Sequence, residues 1–275
     1  MYTIVYTNND KVGEASFVVT GKGNYTGKLE GKFTISNDFS KAEISAITAK
    51  TYTGKALTPA VTVKVGTTTL KANTDYTVAY KNNTNAGTAT VTVTPAGSYS
   101  GAAKTATFKI NKANVKAKIT KITGKNAVGA GKAVTLKATL SPAKSDANQN
   151  VNTTVKWASN KTAVAKVDAK TGKVTGVSAG TAKITATSAA GNKKTYNVKV
   201  YGVASNKLKQ TVTAGKTKKV AANDTIKSAV SNKKAVATVT YKNKQVIIKG
   251  VKKGTAKITV TTKNGGKNVI TVTVK

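Results

Sequence analysis

The chain has 275 residues and carries 46 basic residues, all of them lysine, against 9 acidic ones, for a formal net charge of +37. It has no cysteine and no histidine, which removes disulfides, thiolate metal sites, the usual general base at neutral pH and the common catalytic triads. The charge is uneven: residues 1–110 hold 12 lysines and 6 acids, and residues 111–275 hold 34 lysines and 3 acids.

From the N-terminus, residues 2–27 recur 74 positions downstream. Tyr2, Tyr6, Asn8, Asn9, Gly13, Ala15, Gly23, Tyr25 and Gly27 return as Tyr76, Tyr80, Asn82, Asn83, Gly87, Ala89, Gly97, Tyr99 and Gly101. A period of this size marks one small module per copy, so an array is expected rather than one large domain. A second pair of copies follows. Ser159, Asn160, Val164, Ala165 and Val167 recur at 72 as Ser231, Asn232, Val236, Ala237 and Val239, and Gly176, Gly180 and Thr181 recur at 74 as Gly250, Gly254 and Thr255. The two-residue difference is expected in a loop, because extra residues inside a strand shift its pairing.

Strand signals are dense. Residues 88–94 read Thr-Ala-Thr-Val-Thr-Val-Thr, and residues 257–261 and 270–274 alternate in the same way. Branched side chains of period two fit a pleated, half-buried surface. Turn chemistry at Gly21-Lys22-Gly23-Asn24, Thr171-Gly172-Lys173, Ala190-Gly191-Asn192 and Asn264-Gly265-Gly266 separates the runs at the spacing of antiparallel sandwiches. No segment reads as an amphipathic helix, and no run of 18 apolar residues suits a membrane-spanning helix. The expected architecture is all-β, as tandem sandwiches. It comprises a partial repeat at 1–35, a full repeat at 36–111 and two modules of a second kind at 112–201 and 202–275. The linkers at 36–41, 111–114 and 201–206 are too short and too low in glycine for flexible coils, so limited bending is expected. The first 35 residues supply only a few strands, which lean on the next module or belong to a larger parent protein, where a signal and an anchor would lie.

The nine acids are scattered, with no acidic cluster in the second half and no calcium-loop spacing, so no catalytic, metal or cofactor residues are assigned. An intramolecular Lys–Asn isopeptide bond is conceivable, but residue type alone selects no pair. Trp157, the one tryptophan, reads foremost as a core plug; its counterpart in the last module is Ala229. Tyr25, Tyr99 and Trp157 are the candidates for a carbohydrate-stacking platform. The doublets Lys193-Lys194, Lys218-Lys219, Lys233-Lys234 and Lys252-Lys253, placed at or near turns, are the candidates for holding a polyanion. With no arginine and few aromatics, a dedicated nucleic-acid role is not expected.

The stretch Ala158-Ser159-Asn160-Lys161-Thr162-Ala163-Val164-Ala165-Lys166-Val167, followed by residues 171–186, closely resembles the bacterial immunoglobulin-like group 2 domain. Residues 202–275 resemble a divergent copy without the tryptophan and the Thr-Gly-Lys turn. The earlier motif, Tyr52-Thr53-Gly54-Lys55-Ala56-Leu57-Thr58-Pro59 through Tyr76, Tyr99 and Phe108, is similar to a repeat of surface and secreted proteins of gut Firmicutes. These resemblances imply immunoglobulin-like β-sandwiches outside a Gram-positive cell, with no cofactor and no catalytic residues to carry over. Two functions follow as expectations. One is a monomeric, non-catalytic spacer or adhesive stalk within a larger chain, held to anionic cell-wall polymers by lysine. The other is a carbohydrate-binding accessory region of an extracellular polysaccharide hydrolase.

Overall fold

The computed structural model describes all 275 residues. The chain is built of β-strands and turns, with one short 3-10 turn at Ser205–Lys207. It divides into two compact units, Met1–Ala113 with Asp146–Asn150, and Asn114–Ser145 with Val151–Lys275.

The first unit begins with a three-stranded antiparallel sheet of Tyr2–Thr7, Gly13–Gly21 and Lys28–Ile35. A sandwich follows. One of its sheets orders Lys50–Thr51, Lys104–Asn111, Gly87–Pro95 and Tyr76–Lys81, and the other orders Ala42–Ile44, Val63–Val65 and Thr68–Thr69. Alternation in Gly87–Pro95 does what its residues dictate: Ala89, Val91 and Val93 are buried beside Phe39, Val63 and Ile110, and the threonines face out. The 74-residue repeat is also a repeat of backbone. Asn8 and Asn82 both sit at φ 58°, and Gly13 and Gly87 at 137° and 144°, a region in which a β-carbon is strained.

The second unit holds two further sandwiches with separate cores, one around Ile119, Leu136, Trp157 and Ile184, the other around Val220, Ile248, Ile258 and Ile270. Their larger sheets order Ala127–Gly129, Lys193–Tyr201, Gly180–Ser188, Val155–Ser159 and Lys209–Val212, Lys267–Val274, Gly254–Thr262, Ile226–Ser231. All three sandwiches end this sheet on a parallel edge strand, so two dissimilar sequence types share one topology.

The Ser-Asn…Gly-Thr motif shared by the last two sandwiches is a strand-crossing lock. Asn160 accepts the amide of Lys183 at 2.8 Å, and Asn232 accepts that of Lys257 at 2.7 Å. Gly180 and Gly254, both at φ 151°, lie directly under Val164 and Val236. The two-residue difference between these copies does not sit in a loop, contrary to expectation. The hairpin of Ala165–Val167 and Lys173–Gly176 turns through five residues, whereas that of Ala237–Lys242 and Gln245–Gly250 turns through Asn243 and Lys244 with longer arms. One hairpin grows on both arms at once, so Ala165↔Gly176 and Ala237↔Gly250 keep the same register.

Within the second unit the two sandwiches meet at a closely packed seam. The side chain of Asn268, 6% exposed, accepts the amide of Val203 at 2.8 Å and donates to the carbonyl of Val177 at 3.1 Å. Asn223 accepts the amide of Gly202 at 2.8 Å and donates to the carbonyl of Val200 at 2.7 Å. The backbone of Gly265 and Gly266 lies where a β-carbon on Gly129 would be, so close approach demands glycine there. The stretch 201–206 is therefore pinned on both sides.

Candidate functional surface

Electrostatics dominate the exterior, and the carboxylates do little to offset it. The one ion pair is Lys32–Glu14 at 2.7 Å, with both partners largely exposed. In residues 111–275 all three acids are engaged by turns, Asp146 and Asp168 by their own and Asp224 by that of Asn264 as well. Asp146 accepts the amides of Asn148 and Gln149, each at 2.7 Å. Asp168 accepts the amides of Lys170 and Thr171 and the Thr171 hydroxyl, and Asp224 accepts the amides of Thr225 and Asn264 and the Asn264 side chain. The 34 lysines of this region thus have no carboxylate partner in the fold. No group of three or more acidic, histidine or cysteine side chains gathers anywhere.

Those hydrogen bonds set the acid behaviour of the turns. The Thr171 hydroxyl, with the amides of Thr171 and Lys170, holds the Asp168 carboxyl below its ordinary value. Burial works against ionisation of Asp224, but the Asn264 amide, the Thr262 hydroxyl, the Asn264 side chain and the Thr225 amide together outweigh it and lower its pKa. A carboxyl depressed in the folded state stabilises above its unfolded value of about 3.9, and that contribution disappears as pH falls through the folded value. The thermal midpoint is expected to be flat from about pH 7 to 5 and to drop below about pH 4. Asp224→Asn should shrink that drop, and an acid profile identical to wild type would show that this turn does not contribute.

The strands spread the lysines apart. Across the ladders Lys156 and Lys193 both face Thr187, Lys166 faces Thr175, Lys249 faces Thr217 and Thr238, and Lys267 faces Thr261; none faces another lysine. Like charges directly opposite destabilise a sheet, and an intervening threonine strand sets the lysine backbones roughly 9–10 Å apart. The surface is therefore a dispersed positive lattice.

The structure separates the lysine doublets into two kinds. Lys218 and Lys219 lie inside the strand Thr217–Ala221, not at a turn, and point to opposite faces; Lys218 reaches the carbonyl of Thr211 at 3.4 Å. Lys193 and Lys194 open the strand Lys193–Tyr201 and likewise diverge, opposite Thr187 and Ala186. Lys233-Lys234 and Lys252-Lys253 are turn residues. The amides of Val251 and Lys252 bond the carbonyl of Val236, bringing these four lysines to one end of the last sandwich. Periodicity could have revealed the divergence of the in-strand doublets, whereas the convergence at Val236 is tertiary.

The aromatic candidates occupy three environments. Tyr25 is 68% exposed near a hairpin tip, and Tyr99 is half-buried edge-on against Phe39, with ring centroids 6.3 Å apart. Trp157 is 6% exposed within its core, its amide donating to the carbonyl of Ala169 at 3.0 Å and its ring lying over Gly172. A groove of about 860 Å³ borders it, lined by Lys137, Thr154, Lys156 and Lys170. In the last sandwich Ala229 and a two-residue turn stand in place of the indole and the Gly172 turn, which pack on each other.

Residues 114–199 match the family model of the bacterial Ig-like domain (group 2). No curated protein matches the chain. Among solved structures, domains 4 and 5 of the S-layer protein SbsC align at 18% identity over 57% of this chain and 98% of that one, with a TM-score of 0.23. Domains 1–6 of the same surface layer protein align at 17% identity over 95% of this chain and 44% of that one, with a TM-score of 0.26. Sidekick-1 immunoglobulin domains 1–5 align at 10% identity over 100% of this chain and 74% of that one, with a TM-score of 0.34. The chain thus spans less than half the length of the six-domain surface layer structure. Residues 114–199, which fold as the sandwich around Trp157, are thus similar to the bacterial Ig-like domain of group 2.

Proposed function

We propose that this chain is a non-catalytic spacer and adhesive segment of a bacterial cell-surface or secreted protein, and that its lysine exterior holds anionic polymers of a Gram-positive cell wall. The observation that supports this reading is the imbalance in residues 111–275, where 34 lysines meet three carboxylates already engaged by backbone amides. Charge left uncompensated inside the fold is neutralised from outside. A polyphosphate chain does this with a gain in entropy, because it releases its own condensed counterions. Lysine suits the task, since a compact ammonium on a flexible stem needs no fixed partner geometry.

Purified phosphate-bearing wall polymer titrated at 50 and 200 mM salt tests the reading. Affinity should fall by about 1,000-fold or more, as expected when six or more phosphates are engaged. Replacing Lys233, Lys234, Lys252 and Lys253 by glutamine should reduce the salt slope by about 3 without abolishing binding, because the remaining lattice is intact. Absent or salt-insensitive binding would remove the proposal. The carbohydrate-accessory reading rests on exposed Tyr25 and on the groove beside Trp157. It requires salt-independent affinity for a neutral glycan that falls on Tyr25→Ala or Tyr99→Ala.

A further inference from the structure

In the first sandwich, residues 36–72 cover the apolar face of the sheet formed by Tyr76–Lys81, Gly87–Pro95 and Lys104–Asn111, seating Phe39, Val63 and Leu70 on it. Three polar contacts fix that cover. The Tyr76 hydroxyl donates to the carbonyl of Val61 at 2.7 Å, and the Tyr80 hydroxyl donates to the carbonyl of Pro59 at 2.5 Å. The Asn83 side chain donates to the carbonyl of Leu57 at 3.0 Å, and the Leu57 amide returns to the carbonyl of Asn83 at 2.9 Å.

The N-terminal sheet carries the same face in the same register. Ala15 faces Phe33 as Ala89 faces Phe108, and Tyr6 faces Phe17 as Tyr80 faces Val91. The three docking groups are present too, as Tyr2, Tyr6 and Asn9. The cover differs, and Phe17 stands where the sandwich has Val91. Tyr76 is 2% exposed and Phe108 3%, whereas Tyr2 is 65% exposed and Phe33 37%. A hollow of about 550 Å³ opens on this face between Tyr2, Val19, Tyr25 and Leu29.

We propose that this face is an acceptor for a front half-repeat. The occupant is a segment with the pattern of residues 36–75. It seats three apolar side chains of the Phe39, Val63 and Leu70 kind on the sheet. It also presents carbonyls at the places of Leu57, Pro59 and Val61 to Asn9, Tyr6 and Tyr2. Two copies of the sheet meeting face to face would satisfy the apolar surface but not these groups, since a sheet's own carbonyls are spent on its ladder. Charge does not oppose a half-repeat, because residues 1–35 hold 4 lysines and 3 acids and residues 36–75 hold 5 lysines and 3 acids.

The test fuses a second copy of residues 36–75 ahead of Tyr2 in the full chain. A control fusion carries Phe39→Ser, Val63→Ser and Leu70→Ser in the added copy alone. Hydroxyl-radical footprinting then compares Tyr2, Tyr6 and Phe33 with Tyr76, Tyr80 and Phe108, whose protection reports that the rest of each protein is folded. Labelling of Tyr2 should fall by roughly tenfold or more in the fusion, in line with exposures of 65% and 2% for Tyr2 and Tyr76, and stay high in the control. Asn9→Ala in the fusion should restore part of it. Equal labelling in fusion and control overturns the proposal. So does an unfused chain that is already protected and dimeric by light scattering, which would assign the face to a second copy.

Discussion

Trp157→Ala is expected to destabilise its sandwich by about 3–5 kcal/mol, the range for truncating a large aromatic in a packed core. The indole is 6% exposed and belongs to the cluster of Ile119, Leu136, Val174 and Ile184. The backbone beneath it is committed to its presence: Gly172 at φ 71° leaves room for the ring, and a β-carbon there would also meet the carbonyl of Leu136. In the last sandwich Ala229 occurs together with a longer hairpin in place of that turn, and Trp157→Ala alone changes only one of the two. Calorimetry of the full chain measures the loss. A change under about 1 kcal/mol, together with lost glycan binding, would make the ring a recognition surface instead of a plug.

Asn268→Ala carries the second large effect, expected at about 2–4 kcal/mol, because it strands the buried amide of Val203 and the carbonyl of Val177. Its consequence differs in kind from that of Trp157→Ala. Asn268 belongs to the last sandwich and Val177 to the one before it, so the variant weakens their coupling as well as their stability. The two are expected to unfold in one cooperative transition in the wild type and in two in the variant. A single unshifted transition in Asn268→Ala would show that the glycine packing of Gly129 on Gly265 and Gly266 suffices. For a segment whose proposed task is to space or hold, a joint of this kind transmits force where a flexible linker would absorb it.

Much of this was legible from residue order. The run Thr-Ala-Thr-Val-Thr-Val-Thr is a strand because threonine and valine at period two can bury one face only, and the structure places Ala89, Val91 and Val93 inward. The all-β, immunoglobulin-like character followed from such runs and from the residues around Ser159 and Gly180. Other features were not readable because they join residues far apart. Asn268 and Asn223 look like surface residues in their own segments and become the polar ties of a buried seam. Lys218 and Lys219, expected at or near a turn, follow one and are a strand pair on opposite faces.

By itself the sequence determined strand identity, repeat register, the all-β sandwich class and the size and sign of the charge. Each of these follows from local side-chain pattern or from composition. Tertiary structure alone decided which lysines converge at Val236, where two extra residues could be absorbed without a slip, and how two sandwiches interlock. It also decided that the face of Tyr2 and Phe33 stands open while its twin is covered. The reason is physical: a strand's pattern specifies that one face must be buried, but what buries it is set by chain supplied from elsewhere.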